Sequence, residues 1–145
     1  MVNISTCSCS SEVIKTMSEK FYRRMFLVAS LWNLIGGVAI ILLTDWIFSG
    51  IYLKPPQPPA YYQSWIALFM TFGVGYYMVY RSMYTNKNIV VLGIIGKIAF
   101  SVIFIGNRLI YSDQIPSVFL IAVVGDLVFV ILFWMFLRFA NKMGK

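Results

Sequence analysis

Four long apolar stretches constrain this chain more than any other feature. A bilayer core of about 30 Å takes about 20 mostly apolar residues as one helix. The sequence holds four such stretches, at about 25–44, 61–80, 88–110 and 116–137. The first two are uncharged, the third contains Lys97 and Arg108, and the fourth contains Asp126. Pro116 suits the first turn of a helix, where its missing N–H costs nothing. The connections near 81–87 and 111–115 are short, which makes neighbouring helices antiparallel. The expected fold is all-α: a polytopic membrane protein with four transmembrane helices in an antiparallel bundle.

Composition agrees. Hydrophobic residues make up 60% of the 145 and charged residues only 12%, whereas a soluble domain carries about 25% charged residues. Residues 21–140 form the membrane domain, and no room remains for a soluble one. Residues 1–20 are polar and serine-rich, without the apolar core of a cleaved secretory signal. They read as a mobile cytoplasmic tail with a short surface helix near Lys15 to Arg24. Residues 141–145 form a second cytoplasmic tail. The KPPQPP run at 54–59 forbids helix and favours an extended, polyproline-like connection. No internal repeat is evident.

Basic residues collect on the cytoplasmic side of short loops. Lys15, Lys20, Arg23 and Arg24 precede the first span, Arg81 and Lys87 lie in the second connection, and Arg138, Lys142 and Lys145 follow the last span. Four spans place all nine on one side, leaving Lys54 and Arg108 on the other. This places both termini in the cytoplasm of a bacterial inner membrane. The net charge of +7 therefore reads as a device for orientation and for holding anionic head groups, not for nucleic acid. Trp46, Phe48, Tyr52, Tyr61, Tyr62 and Trp65 read as an interfacial aromatic belt on the opposite side, or as the lining of a ligand entrance.

Depth is arithmetic at 1.5 Å per residue. Lys97 lies roughly 13 Å in, Asp126 roughly 15 Å and Asn33 about 12 Å. The third and fourth spans are neighbours, so Lys97 and Asp126 can meet. Gly93, Lys97, Ser101, Phe104 and Arg108 share one face of the third span. Ser30, Asn33, Gly37 and Thr44 share one face of the first. Ser64, Leu68, Thr71, Gly75 and Met78 share one face of the second, and Ala122, Gly125 and Phe129 flank Asp126. Stripes of small and polar residues are expected to face the bundle interior, with Ile, Leu, Val and Phe facing lipid. Lys97, Asp126, Asn33, Ser101 and Thr71 then form a central polar site. It reads either as an ion pair locking two helices in register or as a ligand or proton site, since intramembrane ionisable groups are usually functional.

Other motifs carry less. Histidine is absent, which excludes His-ligated haem, histidine metal sites and His-dependent catalytic triads. Cys7 and Cys9 are too few for zinc, and the C-x-x-C of vitamin K epoxide reductase-type quinone reductases is missing. They read as reduced tail residues, with palmitoylation or metal capture as the other options. Gly73-Val-Gly75 and Gly93-x-x-Gly96 lie inside apolar helices and read as close-packing positions. Asn3-Ile-Ser5 matches the glycosylation pattern but faces the cytoplasm. Asp45 and Asp113 read as caps at the outer span ends, and Arg108 as a snorkelling residue that can bind an anionic head group. No cofactor and no metal site are expected.

The run GVGYYMVYRSMYTNKNIVVLGIIGKIAF at 73–100, with WNLIGG at 32–37 and GDLVFVILF at 125–133, resembles small bacterial four-helix membrane proteins of the DoxX-like type. The resemblance covers about residues 21–140. It implies an accessory subunit of a respiratory or redox membrane complex, although no strict redox motif accompanies it. The residues support a non-enzymatic protein: an accessory or scaffold subunit, or a binder of a small lipophilic molecule, working with the bilayer and with a protein partner or further copies of itself. The alternative is a small proton-coupled transporter with Asp126 as proton carrier and Lys97 as counter-ion. Multidrug transporters of similar size carry a glutamate in the first helix, where this chain has Asn33. A membrane enzyme such as a sterol isomerase is disfavoured by the lack of histidine and of glutamate in the spans.

Overall fold

The computed structural model describes residues 4–112 and 114–144, with side chains from residue 16 onward. The described residues form helices joined by turns and loops, without a strand: α1 (Ile4–Leu42), α2 (Thr44–Gly50), α3 (Ala60–Arg81), α4 (Lys87–Ile110), a 3-10 turn (Ser117–Phe119) and α5 (Leu120–Lys142). Three segments are long and apolar enough to cross a membrane: Thr16–Leu42, Lys87–Ile110 and Ser117–Lys142. They mark a membrane protein. At 22 residues α3 has the length, but five tyrosines, Gln63 and Trp65 lower its hydropathy below theirs.

The polar segment before the first span is not set apart from it. Its backbone is helical from Ile4 and continues without a break to Leu42. No glycine or proline interrupts the chain before Gly36. At 39 residues this helix is about 58 Å long, roughly twice a bilayer core.

Leu43 leaves helical geometry and α1 ends there. The Thr44 hydroxyl donates back to the carbonyls of Ile40 and Ile41, at 2.7 and 3.1 Å. The connection to α3 is therefore partly helical rather than extended throughout. α2 ends in a Schellman pattern, with Leu53 N–H donating to the Phe48 carbonyl and Tyr52 N–H to that of Ser49. The left-handed position, usually glycine, is Tyr52 (φ 59°). Pro116 is extended and precedes the 3-10 turn, so α5 begins at Leu120, four residues beyond the expected start.

Contacts between sequential long helices run in opposite directions. Along α1 and α3, Gly73 meets Asn33 and Leu34, Gly37 meets Met70 and Ile66, and the Thr44 and Tyr62 hydroxyls are 2.9 Å apart. Along α4 and α5, Lys97 meets Asp126 and Phe104 meets Phe119. The two pairs join through one aromatic core near the ends of α3 and α5. Phe26 stacks on Phe133, with centroids 5.2 Å apart, and meets Phe136 edge-on at 4.9 Å. Tyr22, Tyr76, Val79 and Val90 complete that core. We call this the basic end, because Lys20, Arg23, Arg24, Arg81 and Arg138 lie exposed around it. The opposite, proline end carries the 51–59 connection.

Two expectations about faces are corrected. Ser64, Thr71 and Met78 point outward, Leu68 is exposed where it lines the cavity between the helix pairs, and the buried positions of α3 are Ile66, Gly73, Tyr76 and Val79. Ser64 and Thr71 donate to the carbonyls one turn back, Ala60 at 2.7 Å and Ala67 at 2.9 Å. A hydroxyl bonded to its own helix has no need of a polar interior. Phenylalanine, expected towards lipid, is mostly internal: Phe26, Phe133 and Phe136 are fully buried. Aromatic pairs gain more from one another than from lipid tails. The outward faces are instead Ile, Leu and Val, as at Val28, Ile35, Ile95, Val102 and Ile131.

Candidate functional site: an ion pair at the floor of an aromatic cavity

α4 turns Gly93, Lys97 and Ser101 inward, one turn apart. Lys97 is only 6% exposed. Its ammonium donates to the Asp126 carboxylate on α5. The Phe129 and Tyr76 ring centres lie 5.2 and 6.0 Å from Nζ. Rings at that distance present their negative faces to the cation and offset part of its desolvation. The carboxylate and the two rings together make the buried charge tolerable.

Gly93 makes this arrangement possible. A Cβ there would lie 2.7 Å from the Tyr76 hydroxyl oxygen. Only glycine lets the Tyr76 ring lie across α4 one turn from Lys97. The Tyr76 side chain is 1% exposed, and among the described residues its hydroxyl has no hydrogen-bond partner.

Towards the proline end the two helix pairs diverge around a cavity of about 430 Å³. Lys97, Asp126 and Tyr76 lie at its basic end, which we call the floor. Its walls are mainly aromatic, with Trp32, Trp65, Phe69, Phe72 and Phe100. Trp65 lies nearly parallel to Phe69 and Phe100, at 21° to each, with centroids about 6 Å away. Phe72 packs over Gly96, where an added Cβ would meet its ring at an ordinary 3.5 Å. Trp32 is 59% exposed and Trp65 45%, so the wall reaches the molecular surface. A cavity of this size, apolar with a few convergent polar groups, is the usual form of a small-molecule site.

The expected site residues separate into two groups. Lys97, Asp126 and Asn33 share the cavity wall. Asn33 is buried and its side-chain amide donates to the Phe69 carbonyl at 2.9 Å, tying α1 to α3. Ser101 is buried without a hydrogen-bond partner for its hydroxyl among the described residues, and it is not part of the wall. Thr71 faces away. Arg108 donates to the Ser112 carbonyl at 2.6 Å and to the Ser117 hydroxyl at 3.2 Å, bracing the α4–α5 connection. Asp45 is exposed in the first turn of α2, where its charge complements the helix dipole. Asp113, Cys7 and Cys9 carry no described side chains. No cluster of acidic or cysteine ligands able to hold a metal occurs among the described residues.

Tyr76, Phe72 and Phe100 are absent from the sequence expectation. Tyr76 left one signal: it lies three residues after Gly73, a helix-contact glycine, and so shares its face. Phe72 and Phe100 left none, because phenylalanine suits lipid and protein interior alike. Comparison with protein-family models, curated proteins and solved structures finds no match, so the functional reading rests on this cavity and the ion pair at its floor.

Proposed function

We propose that the chain is a non-enzymatic four-span protein of the bacterial inner membrane that binds a small lipophilic molecule between its helix pairs. The observation that carries this reading is the aromatic cavity of about 430 Å³ whose floor is the Lys97–Asp126 pair. Replacing a buried ion pair by packed apolar residues is often neutral or stabilising. A pair beside an open cavity therefore suits recognition better than packing alone.

α3 is the fourth span in this reading. At 22 residues it is about 33 Å long, and it lies against α1 from Tyr62 to Gly73, so it shares whatever surrounds α1. The bundle is antiparallel with both termini cytoplasmic. The support is the cluster of basic residues at one end of the helices, which the positive-inside bias puts in the cytoplasm. The DoxX-like resemblance is kept as a proposal about kinship, with an accessory role beside a larger membrane complex as its consequence.

Native mass spectrometry from nanodiscs tests the reading. Retention of a small molecule, lost when Gly96→Phe fills the cavity, supports it; an empty protein after mild extraction refutes it. The location of Asp126 in the cavity wall favours one rival, proton-coupled transport with Asp126 as carrier. That rival requires substrate-driven proton flux in liposomes, abolished in Asp126→Asn.

A further inference from the structure

We infer that the cavity selects a neutral ring-bearing lipophile whose carbonyl oxygen accepts hydrogen bonds from Lys97 and Tyr76. The inference rests on the lipophile-binding reading and names the class of ligand. Three observations carry it.

The first is the distribution of polarity. Lys97, Asp126 and Tyr76 sit together at the floor, while the walls above are mainly aromatic and aliphatic. An occupant must therefore be polar at one end only.

The second is the supply of donors. A lysine ammonium has three N–H donors, and one is directed to Asp126. The Tyr76 side chain lines the same floor, and among the described residues its hydroxyl makes no hydrogen bond. One N–H of the Asn33 amide is engaged with the Phe69 carbonyl. Lys97 and Tyr76 are thus two donating groups on one floor, and a carbonyl oxygen, with two lone pairs, can accept from both.

The third is charge. The Lys97–Asp126 pair is neutral as a unit. An anionic or cationic ligand would leave a net unit charge deep in an apolar surrounding, a cost the membrane interior penalises heavily. A neutral carbonyl leaves the balance intact. Trp65, nearly parallel to Phe69 and Phe100, offers the flat wall against which a ring stacks.

Benzophenone is a suitable probe: a neutral diaryl ketone whose photoexcited carbonyl inserts into neighbouring C–H bonds. Its 4-carboxylate and 4-aminomethyl derivatives place an anion and a cation on the same frame. The full-length protein in nanodiscs is titrated with each, with tryptophan quenching as the binding readout, then irradiated and mapped by peptide mass spectrometry. Benzophenone is expected to bind at least about tenfold more tightly than either derivative, a ratio equal to about 1.4 kcal/mol. Its label is expected on Tyr76, Gly93 or Lys97. Tyr76→Phe, which keeps the ring, should weaken binding about fivefold, the size of one lost hydrogen bond. Equal or tighter binding of a charged derivative with labels inside the cavity overturns the carbonyl inference and leaves lipophile binding standing. Labels confined to the outer helix faces overturn both.

Discussion

Removing one partner of the Lys97–Asp126 pair should harm the protein more than removing both. In Asp126→Leu, the Lys97 ammonium is left 6% exposed with only the Phe129 and Tyr76 rings for company. A charge at mid-membrane costs about 3 kcal/mol on the insertion scale, and breaking a buried pair costs about 3–5 kcal/mol. In Lys97→Met the Asp126 carboxylate is stranded instead, with a loss of the same order. Lys97→Met with Asp126→Leu strands neither charge and should stay within about 1 kcal/mol of the parent. Reversible unfolding in mixed detergent micelles measures all four proteins. Equal losses in both singles and the double would refute the reasoning.

Gly73→Ala should destabilise by about 1–3 kcal/mol, because the new Cβ would lie 2.9 Å from Asn33 Cβ and Leu34 Cγ, whereas Gly125→Ala, with open space around it, should be neutral or gain up to about 1 kcal/mol; the same unfolding assay compares them. Thr71→Val should leave stability and ligand retention unchanged within about 0.5 kcal/mol, while Asn33→Val loses the bond to Phe69 and about 0.6 kcal/mol. Tyr52→Gly should stabilise by about 1 kcal/mol, since glycine suits the left-handed position at the end of α2 and tyrosine does not; a rise in melting temperature checks it. At the basic end, the Tyr84 hydroxyl donates to Glu19 at 2.5 Å, and burial, then that bond, pushes the phenol up to about 12. A raised phenol contributes stability that is present below pH 10 and lost as pH rises through about 12. Tyrosinate absorbance should show this group titrating late, and earlier in Glu19→Gln.

Parts of the site were legible because depth in a membrane is a matter of counting. Lys97 and Asp126 each fall near the middle of a span, in helices joined by a short loop, and the two side chains are hydrogen-bonded. The inward faces of α1 and α4 follow from Ser30, Asn33, Gly93 and Ser101, all of them buried. The face of α3 was not legible from its hydroxyls. Ser64 and Thr71 satisfy themselves on their own helix, so their polarity carries no information about direction. The glycine pattern was the better guide, since Gly73 and Gly93 mark close approaches that a Cβ would block.

By itself the sequence determined the class: apolar segments of membrane length, helical, with basic residues gathered at their ends and one acid and one base at matching depth. Those properties depend on composition and on spacing along the chain. Tertiary structure alone decided that α1 and α3 pair closely while α4 and α5 pair separately, that Phe26, Phe133 and Phe136 close the basic end, and that the pairs part above Lys97 to leave a cavity. Apolar side chains gain little from choosing protein over lipid. What decides which of them turn inward is shape: whether the Tyr76 ring fits across Gly93, and whether Asn33 and Leu34 fit against Gly73. Such fits exist only between helices, and no single segment of the chain contains them.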